Sequence, residues 1–160
     1  MNYVNLNPST NIIFINGMDN TLSQAKENMN LIQRDFPQYN VGLINNPTKG
    51  ILNDISEYNS NTLTITDFLN AHILQQIFRN SKESIDSMNS KESTDTKNVV
   101  AIAHSRGVRD INNANVVNAF QGFTTTNYAL LSVGSPISES ELRESTASVG
   151  AKLIRQVNHP

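Results

Sequence analysis

One segment constrains the fold more than any other: an uninterrupted apolar run, Val-Val-Ala-Ile-Ala, at residues 99–103. Five consecutive apolar residues, three of them β-branched, are typical of a strand buried on both faces, as in a parallel sheet. His-Ser-Arg-Gly follows at 104–107. Apolar residues then recur at near-helical spacing, at Val108, Ile111, Ala114, Val117 and Phe120. The segment therefore predicts a strand, a tight turn and a helix, with Ser105 at the tip of the turn.

The composition sets outer bounds on what this chain can be. Its 160 residues, 38% of them hydrophobic, suit a single domain, 1–160, that buries one core. A net charge of −2 gives no broad basic surface, so a nucleic-acid partner is not expected. The absence of cysteine excludes disulfides, thiolate chemistry and the common zinc modules.

The sequence carries no targeting or membrane signal of a familiar kind. Residues 1–5 have neither a basic region nor the long apolar run of a Sec signal peptide, and no apolar stretch reaches transmembrane length. We therefore expect a soluble protein, cytoplasmic or exported without a Sec signal, with no integral membrane segment.

Strand and helix patterns alternate along the rest of the chain. Further strands are predicted at residues 3–6, 11–16, 39–44, 128–133 and 151–157, and helices at 21–36, 64–80 and 138–149. This alternation demands right-handed crossovers and predicts an α/β fold, a three-layer α/β/α sandwich with a mostly parallel sheet of five or six strands. Residues 81–97 are too polar to bury a core, and we expect a mobile connection there.

Small residues flank Ser105 at two positions on either side, Ala103 before it and Gly107 after it. With a strand before and a helix after, this arrangement resembles the nucleophile elbow of the α/β-hydrolases, although that family more often has glycine where Ala103 stands. The resemblance implies that Ser105 is the nucleophile and that the side chain of His104, inside the elbow, points away from it. The alternative is an ordinary turn in which Ser105 caps the helix.

A second resemblance lies at the end of the strand predicted at 11–16, where the chain continues as Asn16-Gly17-Met18. The hydrolases often have His-Gly here, in a loop that forms half of the oxyanion hole, and asparagine replaces the histidine in this chain. Glycine lets such a loop turn its amides toward a developing negative charge. The resemblance implies backbone donors at Gly17 or Met18 and at Arg106; the alternative is a plain strand-to-helix loop.

A third resemblance is Gly134-Ser135-Pro136, at the end of the strand that follows the elbow helix. The order of the three features, oxyanion-type loop, elbow and Gly-Ser-Pro, is similar to the lipase and esterase branch of the α/β-hydrolases. That resemblance implies hydrolysis of acyl esters, with a small-molecule or lipid ester as substrate and with no metal or organic cofactor. The phosphate-binding patterns GxxxxGK[ST] and GxGxxG do not occur.

The base and the acid are where the resemblance ends, because the family places both after the last strand of this chain. Of the three histidines, His159 follows the last predicted strand on the correct edge and is the candidate base, whereas His72 lies in an apolar helix and is expected to be half-buried packing. Glu139 and Glu141 are either candidate acids or solvated residues in the first turn of a helix.

Two other interpretations stay open. A catalytically incomplete, hydrolase-like domain would act as a binding or assembly module, and an exposed sheet edge would favour a homo-oligomer or another partner there. Alternatively, this chain is the N-terminal part of a longer protein, whose acid and base follow Pro160.

Overall fold

The computed structural model describes residues 2–16, 21–45, 63–87 and 98–157. Within them it contains six strands: β1 Asn2–Val4, β2 Ile12–Ile15, β3 Val41–Asn45, β4 Val99–His104, β5 Tyr128–Val133 and β6 Lys152–Val157. The described helices are α1 Leu22–Asp35, α2 Ile65–Ser87, α3 Arg106–Phe120 and α4 Glu139–Ser148.

The six strands form one sheet in the order β1-β3-β2-β4-β5-β6. All neighbouring pairs are parallel except β1 and β3, which are antiparallel. The predicted α/β class and the mostly parallel sheet are therefore confirmed. The chain passes from β2 to β3 on one side and then returns to place β4 on the other, so a topological switch point separates β2 from β4.

Alternate residues of β2 belong to two different hydrophobic clusters. Ile12 and Phe14 pack with Ala25 and Met29 of α1. Ile13 and Ile15 belong to the larger cluster. The other helices also contribute to it, with Leu74 of α2, Ile111 of α3 and Leu142 of α4. Because alternate side chains of a strand point to opposite faces, α1 packs on one face of the sheet. We call it the α1 face.

The central strand differs from the sequence prediction in one respect. Val99, Ala101 and Ala103 are fully buried, but Val100 and Ile102 are only half-buried. The expectation that the run at 99–103 is buried on both faces is therefore wrong. The reason lies in the position of α1, which packs mainly over β2 and β3. The α1 face of β4 and β5 is consequently covered only in part.

The local signals at the helix ends agree better with the prediction. The N–H of Gln24 donates to Thr21 Oγ1 at 3.1 Å and the N–H of Thr21 donates to Gln24 Oε1 at 2.9 Å, so the capping box of α1 is present. Helix α2 continues to Ser87, past the predicted end at residue 80 and into the polar run; residues 88–97 lie outside the described part of the chain. No described helix is both long and apolar enough to cross a membrane.

Tyr128, at the start of β5, gives the core a pH-dependent stability at alkaline pH. Burial raises its pKa well above the ordinary value of 10.0, and the nearby side chain of Asn115 opposes this only in part. Below pH 10 the folded and unfolded chains are both protonated, but above it the unfolded tyrosine ionises first. The free energy of unfolding should therefore fall by about 1.4 kcal/mol per pH unit above pH 10.

Urea unfolding between pH 8 and pH 11.5 checks this expectation. Tyr128→Phe should remove most of the decrease above pH 10, leaving the smaller contribution of Tyr3, whose pKa is raised by burial and, secondarily, by the carboxylate of Asp110. Tyr39→Phe, at a side chain that is 45% exposed, is the matched control for the loss of a tyrosine hydroxyl. An unaltered slope in Tyr128→Phe would contradict the assignment.

Candidate active site

Ser105 adopts a backbone conformation that side-chain-bearing residues rarely occupy. It joins the last residue of β4 to the first of α3 with φ 53° and ψ −122°. Among the described residues, the one other non-glycine with positive φ is Asn5. Such a conformation costs about 1–3 kcal/mol and persists only where its surroundings impose it. Here the Ser105 N–H donates to Val133 O at 2.8 Å, and the Val108 N–H donates to Ser105 O at 2.9 Å.

Helix capping does not explain this serine. The side chain of Ser105 makes no capping hydrogen bond, and its backbone lacks the extended conformation of an N-cap. Thr21 and Ser138 show the ordinary geometry in the same chain, since both are extended and each accepts a hydrogen bond from the N–H three residues on. The interpretation of Ser105 as a capping residue is therefore wrong.

The small residues beside Ser105 have a steric basis. A Cβ added to Gly107 would lie 2.5 Å from Ile15 O and 2.8 Å from Asn16 O, well inside van der Waals contact. Ala103, on the other side of the turn, is completely buried. The first turn of α3 thus packs directly on the end of β2, and the elbow and the chain after β2 are held together.

This arrangement lies at the switch point of the sheet. Ile15 is paired in register with Ala103, so Asn16 and Ser105 leave the sheet close together at its carboxyl edge. Ligands bind at such points in open α/β sheets. Arg106 is the first residue of α3, and the first N–H groups of a helix have no intrahelical acceptor and lie at its positive end. The turn therefore places the hydroxyl-bearing residue Ser105 directly before the N-terminus of α3.

The turn at Gly134-Ser135-Pro136 borders the same edge. His104 pairs with Val133, which places the turn beside Ser105. Gly134 has a φ of 61°, which favours glycine, and its N–H donates to Val157 O at 2.7 Å. Ser135 Oγ donates to Ile137 O at 2.8 Å and accepts from the Ile137 N–H at 3.1 Å. The Ser135 hydroxyl is thus committed to the turn.

Three of the site residues expected from the sequence lie outside the described residues: Gly17, Met18 and His159. His104 is half-buried, and the parity of β4 places it on the α1 face with Ile102. This agrees with the expectation that its side chain points away from Ser105.

The other titratable candidates face solvent. His72 is exposed on α2, where its Nε2 lies 3.1 Å from the Gln76 amide nitrogen. The expectation of a half-buried histidine is therefore wrong, because the ring projects from the outer side of the helix. Glu139 is exposed and forms an ion pair with Arg143, and Glu141 is exposed as well. Their positions favour the solvated interpretation over that of a catalytic acid.

Sequence reasoning missed a group of polar contacts that connect α2 to β1 and to α3. Tyr3 Oη donates to Asn70 Oδ1 at 3.0 Å, which connects β1 to α2. Asn113 Nδ2 donates to Asp67 Oδ2 at 3.3 Å, connecting α3 to α2. Asp110 is buried in the same region, where its charge raises the pKa of Tyr3. Polar residues of a helix normally indicate its solvated face, so the sequence offered no signal for this cluster.

Sequence reasoning placed Asn16 in the oxyanion-type loop, but it did not predict that Asn16 and Asn45, both at the carboxyl edge, are fully buried. They follow the apolar runs of β2 and β3, and the sequence pattern at both places is equally typical of a plain turn. A polar residue that ends a buried strand is the signal that could have identified them.

No group of three or more His, Asp or Glu side chains in the described ranges could hold a metal ion. Comparison of the chain with protein-family models, curated proteins and solved structures finds no match. The functional assignment therefore depends on the geometry around Ser105.

Proposed function

We propose that this chain is a serine hydrolase that cleaves carboxylic esters, of the lipase and esterase kind, on small-molecule or lipid substrates. The proposal includes a hydrolase-like α/β/α sandwich as its fold. The observation that carries it is the strained backbone of Ser105 at a strand-to-helix turn that abuts the switch point of the sheet. Strain of this kind is found where function requires it, and no capping bond accounts for it here.

In the proposed reaction Ser105 Oγ adds to the ester carbonyl carbon as a base takes the hydroxyl proton. The oxyanion accepts hydrogen bonds from the N–H of Arg106 and from that of Gly17 or Met18. The bond between the carbonyl carbon and the alkoxy oxygen then breaks, and the alcohol leaves with the proton. Water then attacks the carbonyl carbon of the acyl-serine and gives a proton to the base. The bond between that carbon and Ser105 Oγ breaks, the carboxylic acid leaves, and the base returns the proton to Ser105.

His159 is the base in this proposal. Val157, two residues before it in sequence, ends β6 at the same sheet edge as Ser105, since Val157 pairs with Val133 and Val133 with His104. A base must come within hydrogen-bonding distance of the serine hydroxyl. The chain after β6 starts from the sheet edge at which Ser105 lies. His104 is unsuited to the role because it lies on the α1 face.

Intact mass after incubation with a fluorophosphonate tests the proposal. The folded protein should gain one adduct, because only an activated serine reacts at an appreciable rate. Ser105→Ala should remove it, and His159→Ala should slow it by roughly 10³-fold or more. Ser135→Ala is the matched control, because its hydroxyl lies at the same edge but is bonded to Ile137. The proposal is wrong if folded protein gains no adduct, or if the adduct survives Ser105→Ala.

A second candidate function is the catalytically incomplete module that binds a partner or a second copy. β6 is an edge strand, and its Ile154 and Val157 are 56% and 37% exposed. An apolar edge strand offers unpaired backbone groups to another chain. A folded sample that takes no adduct and sediments as a dimer would favour this module over the hydrolase.

A further inference from the structure

Six apolar side chains on the α1 face of β4, β5 and β6 belong to neither hydrophobic cluster of the described residues. They are Val100, Ala129, Leu131, Val133, Ile154 and Val157. The four on β4 and β5 alternate with the buried residues of those strands and are half-buried. On β6, Val157 pairs with Val133, and an irregularity in the register sets Ile154 and Arg155 opposite Leu131. We call this surface the open face.

An open face is unusual for a sheet of this kind, because parallel sheets normally have helices over both faces. Here α1 covers β2 and β3, whereas α2, α3 and α4 contribute Leu74, Ile111 and Leu142 to the cluster on the opposite face. Strands lie about 4.8 Å apart and a helix is about 10 Å wide, so one helix covers about two strands. The open face therefore has the width to accept one further helix.

Helix α2 carries an apolar surface that faces solvent. Ile65, Phe68 and Leu69 are 81%, 48% and 48% exposed, and their spacing of three and four places them side by side on the helix. We call them the α2 stripe. The outer side of an amphipathic helix is normally polar, as it is further along the same side at His72 and Gln76. The packing of α2 within its own chain therefore does not explain the stripe.

The size of the stripe suits a weak contact between proteins. Its exposed fractions correspond to roughly 300 Å² of apolar side chain, and patches of several hundred Å² mark interaction sites. A standard interface buries about 800 Å² on each partner, a little over half of it apolar. The stripe supplies most of that apolar share, and the aliphatic stems of Lys152 and Arg155 extend the open face beyond its apolar side chains.

The α2 stripe and the open face lie on opposite sides of one chain, because α2 packs on the face of the sheet away from α1. The stripe of one chain therefore cannot cover the open face of the same chain, but that of a second copy can. We propose that copies of this chain associate head to tail, with the α2 stripe of one copy packed on the open face of the next. A contact between two different surfaces generates a ring or a filament rather than a symmetric dimer. The proposal is independent of ester hydrolysis at Ser105.

Sedimentation velocity of the 160-residue protein tests the proposal. Between about 1 and 200 µM, the wild-type protein should form species larger than a dimer, as expected for a contact of modest size. Leu69→Asp and Ile154→Asp each place a charge in one of the two surfaces, and each should weaken association at least about 30-fold. Leu31→Asp is the matched control, because Leu31 of α1 is 48% exposed, as Leu69 is, and lies outside both surfaces. It should associate like the wild type.

An equimolar mixture of Leu69→Asp and Ile154→Asp tests which surfaces meet. The first variant keeps its open face and the second keeps its α2 stripe, so the mixture should form a one-to-one complex and nothing larger. Formation of that complex also shows that both variants fold. The proposal is overturned if the wild type is monomeric over the whole concentration range, or if it forms a dimer that survives Leu69→Asp. It is equally overturned if the two variants remain monomers when mixed.

Discussion

Ser105→Gly is expected to make the protein inactive and, at the same time, more stable. Removal of the hydroxyl removes the nucleophile, and turnover of an ester should fall by roughly 10⁴- to 10⁶-fold. Glycine adopts the observed φ of 53° without a steric penalty, which relieves about 1–3 kcal/mol of strain. The greater backbone freedom of glycine in the unfolded chain offsets about 0.5–1 kcal/mol of this stabilisation. The net gain in the free energy of unfolding should be about 1 kcal/mol.

Ser105→Ala separates the two effects. It loses the same hydroxyl and should be equally inactive, but its Cβ keeps the backbone strained. The difference in the free energy of unfolding between the glycine and alanine variants therefore measures the strain, less the about 0.5–1 kcal/mol that glycine loses through its greater freedom in the unfolded chain. A glycine variant that is less stable than the alanine variant would show that the backbone at Ser105 is not strained, and the main support for the proposed nucleophile would be lost.

The strain at Ser105 contrasts with that at Asn5, the other described non-glycine residue with positive φ. Asn5 has a φ of 54°, but asparagine tolerates this region because its short polar side chain bonds locally. Serine tolerates positive φ less well, and a single substitution to glycine would relax the turn. That a costly residue occupies this turn is an argument for function rather than for folding.

The elements around the elbow were predictable because their signals are local. The bounds of β5 agree with the prediction at both ends, and α3 begins two residues before its predicted start. The elbow itself was recognisable because strand, turn and helix place a steric demand on single positions, Ala103 and Gly107. A short-range constraint leaves a short-range pattern in the sequence.

The remainder was not predictable because it depends on contacts between distant segments. Asn45 is completely buried, although its own neighbours in sequence resemble a turn. The α1 face of β4 is covered only in part because of where α1 packs. No sequence pattern within 99–103 indicates that position. Similarly, α2 continues into a polar run because the helix propensity of lysine and glutamate does not depend on an apolar stripe.

Gly107→Ala is expected to have the largest effect on stability of any single-methyl addition near the site. The added Cβ would lie 2.5 Å from Ile15 O, and its nearest contacts include two backbone oxygens, which cannot rotate away. The end of β2 must then shift by roughly 1 Å, at a cost of about 2–4 kcal/mol even though alanine favours the helix. Fluorophosphonate labelling of Ser105 should slow by about 10²-fold or more, since the shift displaces the chain after β2 from the elbow.

Gly122→Ala, after the end of α3, shows why the effect at Gly107 is one of packing. Gly122 has a φ of 75°, but an added Cβ would meet nothing within 4 Å. That variant should lose only about 1 kcal/mol, from backbone strain, and should label at the wild-type rate. Equal losses of stability in the two variants, or wild-type labelling in Gly107→Ala, would contradict the close approach of α3 to β2. The elbow would then lack the contact that ties it to the oxyanion-type loop, and the proposed site would lose one of its two halves.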